Sequence, residues 1–253
     1  MYSMKNIYVP CNSFCIVLLF LTAFAACKKS PAVAATSINN VPADTMAQSS
    51  NPVETNPQIY LALGDSYTIG ESVDSFERFP AQTAALLTNN EIHISGIQYI
   101  ATTGWTTVNL LSAIDSQNPK GPFTAVSLLI GVNDQYQAHD TIGYRQNFSR
   151  VLNRALQLAG NNASHVFVLS IPDYGVTPFG GNNEETSHQI DMFNAINKEI
   201  TLSYGISYID VTTISRIDAN DMTMIAGDGL HPSGKQYAQW AQALAIKMLE
   251  VMK

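Results

Sequence analysis

Four short stretches of this 253-residue chain carry side chains whose types could do chemistry together. "GDSYTIG" holds Ser66, "ATTGWTT" holds Gly104, "GVND" holds Asn133, and "DGLHP" holds Asp228 and His231 three residues apart. A serine hydroxyl is a weak nucleophile and needs an adjacent base. Histidine is the natural base near neutral pH, and a nearby carboxylate fixes its tautomer and orientation. Asparagine can donate a hydrogen bond to developing negative charge without carrying charge itself. A glycine lets a backbone N–H approach a bound oxygen closely. Each stretch taken alone has a plainer reading. Ser66 can be a turn residue, or part of a phosphate cradle, although such a cradle would want a lysine that is missing here. Asp228 and His231 can be metal ligands, but a metal site wants three or four. We expect neither metal nor cofactor.

The elements that must position these residues are legible as a pattern. Short apolar runs alternate with longer amphipathic ones: "IYLALG", "IHISGIQYIA", "TAVSLLIG", "HVFVLSIP" and "ISYIDV" read as strands. Between them lie helical stretches, "RFPAQTAALLTNN", "TTVNLLSAIDS", "DTIGYRQNFSRVLNRALQLAGNN" and "EETSHQIDMFNAINKEITLSYG", and "PSGKQYAQWAQALAIKMLEVM" closes the chain. Pro80 is tolerated in the first turn of its helix, and Asp140 is a candidate N-cap. "TAVSLLIG" is apolar throughout, as a strand covered on both faces should be. Strand alternating with helix implies an α/β fold with a parallel sheet of about five strands and helices on both faces. Ligands bind such sheets at the carboxyl ends of the strands. Ser66, Gly104 and Asn133 follow the first three strands, and Asp228 and His231 precede the last helix.

In that order and at those positions, the stretches resemble the SGNH, or GDSL, hydrolase family of serine esterases and lipases. "GDSYTIG" resembles the family's first block, "GVND" its third and "DGLHP" its fifth. The second block departs from the pattern: "QYIATTG" lacks the asparagine that often precedes the family's glycine. The resemblance spans residues 59–253 and implies a flavodoxin-like three-layer sandwich. It implies Ser66 as nucleophile, His231 as general base and then acid, and Asp228 as the residue that orients His231. The backbone N–H groups of Ser66 and Gly104 and the side chain of Asn133 would form the oxyanion hole. The implied substrate is a carboxylic ester, with short acyl or acetyl groups favoured, on carbohydrate or another alcohol. Lysophospholipase or thioesterase activity, acyl transfer to another alcohol, and a non-catalytic surface module that binds glycan are the alternatives.

Aromatic residues follow several of the motifs. Tyr67, Trp105, Tyr136 and Tyr174 are candidates for a substrate pocket, each with core packing as its plainer reading. Phe179 lies in the glycine-rich loop "DYGVTPFGGNN", which resembles a flap. His139 lies six residues past Asn133, near the expected mouth, as a substrate contact or as surface decoration. Asp65 and Asp134 are expected to hold their own turns.

Composition bounds the partners. The chain has 13 Lys and Arg against 20 Asp and Glu, a net charge of −7, which argues against a nucleic-acid partner. The cysteines are Cys11, Cys15 and Cys27, so the chain beyond Cys27 can hold no disulfide and no thiol nucleophile. Lys5, the apolar run "FCIVLLFLTAFAA" and then Cys27 resemble a bacterial lipoprotein signal over residues 1–27, with Cys27 lipidated. Residues 28–58, rich in Pro, Ala, Thr and Asn, read as a flexible tether. The expectation is an exported protein held at the cell envelope by its lipid. The sequence does not indicate an oligomeric state.

Overall fold

The computed structural model describes residues 58–252. The leader ending at Cys27 lies outside them, as does the tether except for Gln58, which opens the first strand rather than ending the linker.

Five strands form one parallel sheet: β1 (Gln58–Gly64), β2 (Ile94–Ala101), β3 (Ala125–Leu129), β4 (Val166–Leu169) and β5 (Ser207–Ile209). Their spatial order is β2-β1-β3-β4-β5. The longer helices are α2 (Phe79–Thr88), α3 (Thr107–Gln117), α5 (Thr141–Leu158), α6 (Glu184–Ser203) and α8 (Gly234–Met252). Three short helices complete the set: α1 (Ser66–Ile69), α4 (Val132–Ala138) and α7 (Thr212–Ile217). Helices α2 and α8 pack together on one face, and α3, α5 and α6 on the other. This is the doubly wound, three-layer arrangement expected from the alternation of runs.

The central strands are buried because both of their faces are covered. Every residue of β3 and β4 is buried, as are Tyr60 to Gly64 of β1. The edge strand β2 is mostly half-exposed, and its register to β1 slips where Ile59 pairs with Gly96. Helix α5 presents Tyr144, Phe148, Val151, Leu152 and Ala155 to the core, and Asp140 caps it by accepting from the N–H groups of Ile142 and Gly143.

Three local expectations change. "GVND" is not a loop: Gly131 ends the turn and Asn133 is the second residue of α4. The fifth strand keeps only three residues before the chain turns into α7, a helix absent from the pattern reading. The last helix starts at Gly234, after Pro232 has paired with Ile225 across a short antiparallel bridge.

In this strand order the chain leaves β1 toward β2 and then crosses back to β3. The crevice at that reversal, at the carboxyl ends of β1 and β3, is where such sheets bind ligands. Ser66 and Asn133 lie two and four residues beyond those two strand ends.

Candidate active site

Strand β1 ends at Gly64, where no side chain fits. A Cβ there would lie 2.4 Å from the Leu129 carbonyl oxygen and 2.1 Å from Thr68 Oγ1. The chain then enters α1 at once. Asp65 is the N-cap, its Oδ1 accepting the Tyr67 N–H at 3.0 Å. Ser66 is the first helical residue, so its own N–H is among those a helix leaves without an internal partner.

From the far end of the chain, residues 225–232 bring the acid and the imidazole to this point. Ala226 donates its N–H to the His231 carbonyl, folding the segment back on itself around Asp228 and Gly229. His231 Nε2 lies 3.0 Å from Ser66 Oγ, and its Nδ1 lies 2.6 Å from Asp228 Oδ2. With Nδ1 carrying the proton, Nε2 is left to accept from the serine. The Tyr67 ring packs on the imidazole at 5.2 Å between centroids and on Trp240 at 6.2 Å. The imidazole is thus held between its carboxylate and an aromatic wall.

The third part is the turn after β2. Trp105 N–H bonds the Thr102 carbonyl, and Gly104 has φ +81°, a value glycine adopts freely at the third position of a type II turn. Helix α4 grips this turn at three points. Asn133 Nδ2 donates to the Trp105 carbonyl at 3.0 Å, and Gln137 Nε2 to the Gly104 carbonyl at 3.0 Å. Asp134 accepts the Thr107 N–H at 2.9 Å and also the Thr107 hydroxyl. An amide carries two N–H donors, so Asn133, which also lines the recess, keeps one after binding Trp105.

Ser66, Tyr67, Val132, Asn133, Tyr136, Tyr174, Phe179, Leu230 and His231 line a recess of about 120 Å³. One wall is aromatic, with Tyr136 set edge-on to Tyr174 and both rings near Phe179. Tyr136 and Phe179 are each 55% exposed.

The profile of the GDSL-like lipase/acylhydrolase family matches residues 62–239, most of the described chain. The protein belongs to that family. A search of the curated proteins found no match. Among solved structures, the chain is similar to TesA at 15% identity and TM-score 0.61, covering 76% of this chain and 98% of that one. A lipase, Lip_vut3, from a goat rumen metagenome matches at 20% identity and TM-score 0.60, covering 75% and 97%. A variant of an acetyl xylan esterase from Geobacillus stearothermophilus matches at 18% identity and TM-score 0.55, covering 76% and 94%. These likenesses establish a shared fold, and the family makes the protein a carboxylic ester hydrolase.

In this GDSL hydrolase the electrostatics sort the acids around Ser66 into different states. Burial works to raise the Asp228 pKa. Hydrogen bonds from Ser72 Oγ, the His231 ring and the His231 and Leu230 N–H groups outweigh it and hold the carboxyl well below the usual range. Asp228 is therefore an anion facing the imidazole. Asp65 is fully buried, its Oδ2 meets no partner among the described residues, and burial pushes its pKa up to about 8. Asp134 is also raised by burial, against the pull of its bonds from Thr107.

Most residues singled out from the sequence converge on this site, but several do not. Trp105 does not line the recess. Its side chain packs half-buried against the core while its carbonyl receives Asn133, because the turn at Gly104 sends the chain straight into α3. His139 is an exposed helix cap whose Nδ1 lies 2.8 Å from Gln189 Oε1, away from the lining. Asp134 holds a neighbouring loop and not its own turn. Sequence reasoning missed Val132 and Leu230 in the lining and Ser72 on Asp228. Their motifs adjoin the site, but nothing local marks the side chains.

Proposed function

We propose that this hydrolase is an exported serine esterase, attached to the cell envelope by a lipid on Cys27, that removes short acyl or acetyl groups from an alcohol, with acetylated carbohydrate as the favoured class. The observation that carries the reaction is the unbroken line from Asp228 Oδ2 through His231 to Ser66 Oγ, at 2.6 and 3.0 Å, ending in the floor of the recess.

In this reading Ser66 Oγ attacks the ester carbonyl carbon as His231 Nε2 takes its proton. The carbonyl oxygen becomes an anion and receives hydrogen bonds from the N–H groups of Ser66 and Gly104 and from Asn133 Nδ2. The C–O bond to the alcohol then breaks, and His231 returns the proton to the departing oxygen. Water attacks the acyl-Ser66 with His231 again as base, releasing the acid and restoring the serine. Asp228 keeps its negative charge throughout and stabilises the imidazolium.

The small size of the recess supports a short acyl group, and the exposed rings of Tyr136 and Phe179 at its wall support a sugar or other broad alcohol. One structural relative is an acetyl xylan esterase, which supports the same substrate class. Export and lipidation rest on the sequence before residue 58.

The test is hydrolysis of p-nitrophenyl acetate and of acetylated xylo-oligosaccharides by purified wild type and Ser66→Ala. Ser66→Ala should lose at least about a thousandfold in kcat. Equal rates for the two proteins would overturn the reading. Absence of fluorophosphonate labelling together with retention on a glycan column would favour the binding module instead.

A further inference from the structure

The Asp228 carboxylate is engaged at about as many points as it has lone-pair sites. Oδ1 accepts from the N–H groups of Leu230 and His231 at 2.9 and 3.0 Å, and Oδ2 faces the His231 ring at 2.6 Å. The remaining position on Oδ2 is taken by Ser72 Oγ, also at 2.6 Å. An ionised carboxylate only accepts, so the hydroxyl donates. Ser72 is six residues beyond Ser66 and 156 before Asp228. It is the one side chain outside the 228–231 loop that holds this carboxylate among the hydrogen bonds of the described residues.

The backbone at Ser72 is also unusual. Its φ is +65°, in the left-handed region that side chains other than glycine, asparagine and aspartate seldom adopt. Such a conformation persists where the surroundings impose it. Here both neighbouring contacts do so. Glu71 accepts a hydrogen bond from Thr103 in the Gly104 turn, while Ser72 reaches the opposite way to Asp228. The two residues thus tie the loops on either side of Ser66 to the segment that leaves α1.

We propose that Ser72 is a positioning residue for the esterase reaction, its hydroxyl fixing the plane of the Asp228 carboxylate so that Oδ2 meets His231 Nδ1 in line. The inference rests on the proposed roles of Ser66, His231 and Asp228. Ser72 touches neither substrate nor the imidazole and acts through Asp228 alone. With the hydroxyl gone, the carboxylate can rotate about its Cβ–Cγ bond and share Oδ2 with water, and the imidazole loses part of its orientation in the transition state. Because the contact is solvent-exposed, the effect should be moderate.

The experiment is a double-mutant cycle with Ser72→Gly and Asp228→Ala, read as kcat, KM and the rate of fluorophosphonate labelling at Ser66. Glycine suits φ +65°, so Ser72→Gly removes the hydroxyl without adding strain and should melt no lower than wild type. Ser72→Gly should lower kcat about fivefold to tenfold with KM unchanged, and Ser72→Ala should do the same. In the Asp228→Ala background, Ser72→Gly should slow labelling no further. Full kcat in Ser72→Gly, or an equal loss in both backgrounds, overturns the inference. The esterase reading stands or falls separately: it fails only if wild type and Ser66→Ala are equally active.

Discussion

Asp134 holds Thr107 at two points, accepting its N–H at 2.9 Å and its hydroxyl as well. The third residue of α4 thereby grips the first residue of α3, and the Gly104 turn between β2 and α3 cannot drift from Asn133. Preorganised donors stabilise a developing oxyanion because they need no rearrangement when charge appears. On the proposed mechanism, Asn133→Ala removes a donor and should lower kcat by about 10² to 10³ with little change in melting temperature. Asp134→Ala should lower both. It leaves the buried Thr107 N–H unpaired, at about 1–3 kcal/mol, and loosens the turn. Steady-state kinetics beside thermal melts separate the two, and an Asp134→Ala protein that melts like wild type would contradict the assignment.

Asp228 should stay ionised across the working pH range. Only a neutral imidazole can accept the Ser66 proton at Nε2, and its Nδ1–H then needs an ionised partner. Asp228 supplies it, since its hydrogen bonds hold its pKa below that of a free carboxylate. A depressed folded-state pKa contributes stability that is present above the unfolded value near 3.9 and lost as pH falls through the folded value. Its influence is therefore confined to strongly acid solution. The 13C chemical shift of the Asp228 carboxyl should show no protonation between pH 5 and 9, and a protonation midpoint in that range would count against this account.

Asp65 should make the fold less stable as pH rises. Burial raises its pKa from 3.8 to about 8, so the folded state holds a proton that the unfolded chain releases. That contribution is complete below about pH 4 and is lost progressively up to about pH 8. Asp65→Asn retains an oxygen to accept the Tyr67 N–H and removes the titration. Its melting temperature should exceed that of wild type at pH 8, by on the order of 5 °C, and the advantage should vanish at pH 4. A constant difference across that range would show that burial does not tune this carboxyl.

Arg216 should matter to the aromatic wall although it lies outside the recess. Its Nε donates to Asp173 Oδ2 at 2.9 Å and its Nη2 to Asp191 at 2.8 Å. Asp173 is fully buried, and its Oδ1 caps the short turn Tyr174–Val176 at the Gly175 N–H. Arg216→Met leaves Asp173 buried without its cation, which should cost about 3 kcal/mol, the low end for a buried pair because the arginine is partly exposed. The Tyr174 turn shifts with it, so KM should rise more than kcat falls. Denaturant unfolding and kinetics on one short-acyl substrate test both halves.

The alternation of apolar strands with amphipathic helices was legible in the chain, because a strand covered on both faces must be apolar along its whole length. So were the residue types of the site and their order. A hydrolase of this kind places its reactive groups at strand exits, and those exits are marked by the ends of apolar runs. The sequence by itself therefore determined the layered α/β fold and the family, and it proposed the set Ser66, Gly104, Asn133, Asp228 and His231. The tertiary structure alone decided which groups touch. It set His231 against Ser66 across 165 positions, packed Trp105 against the core, made "GVND" the first turn of α4, and placed Ser72 on Asp228. Periodicity reports which face of an element is buried, whereas a contact between distant loops depends on how whole layers pack, and no local pattern encodes that.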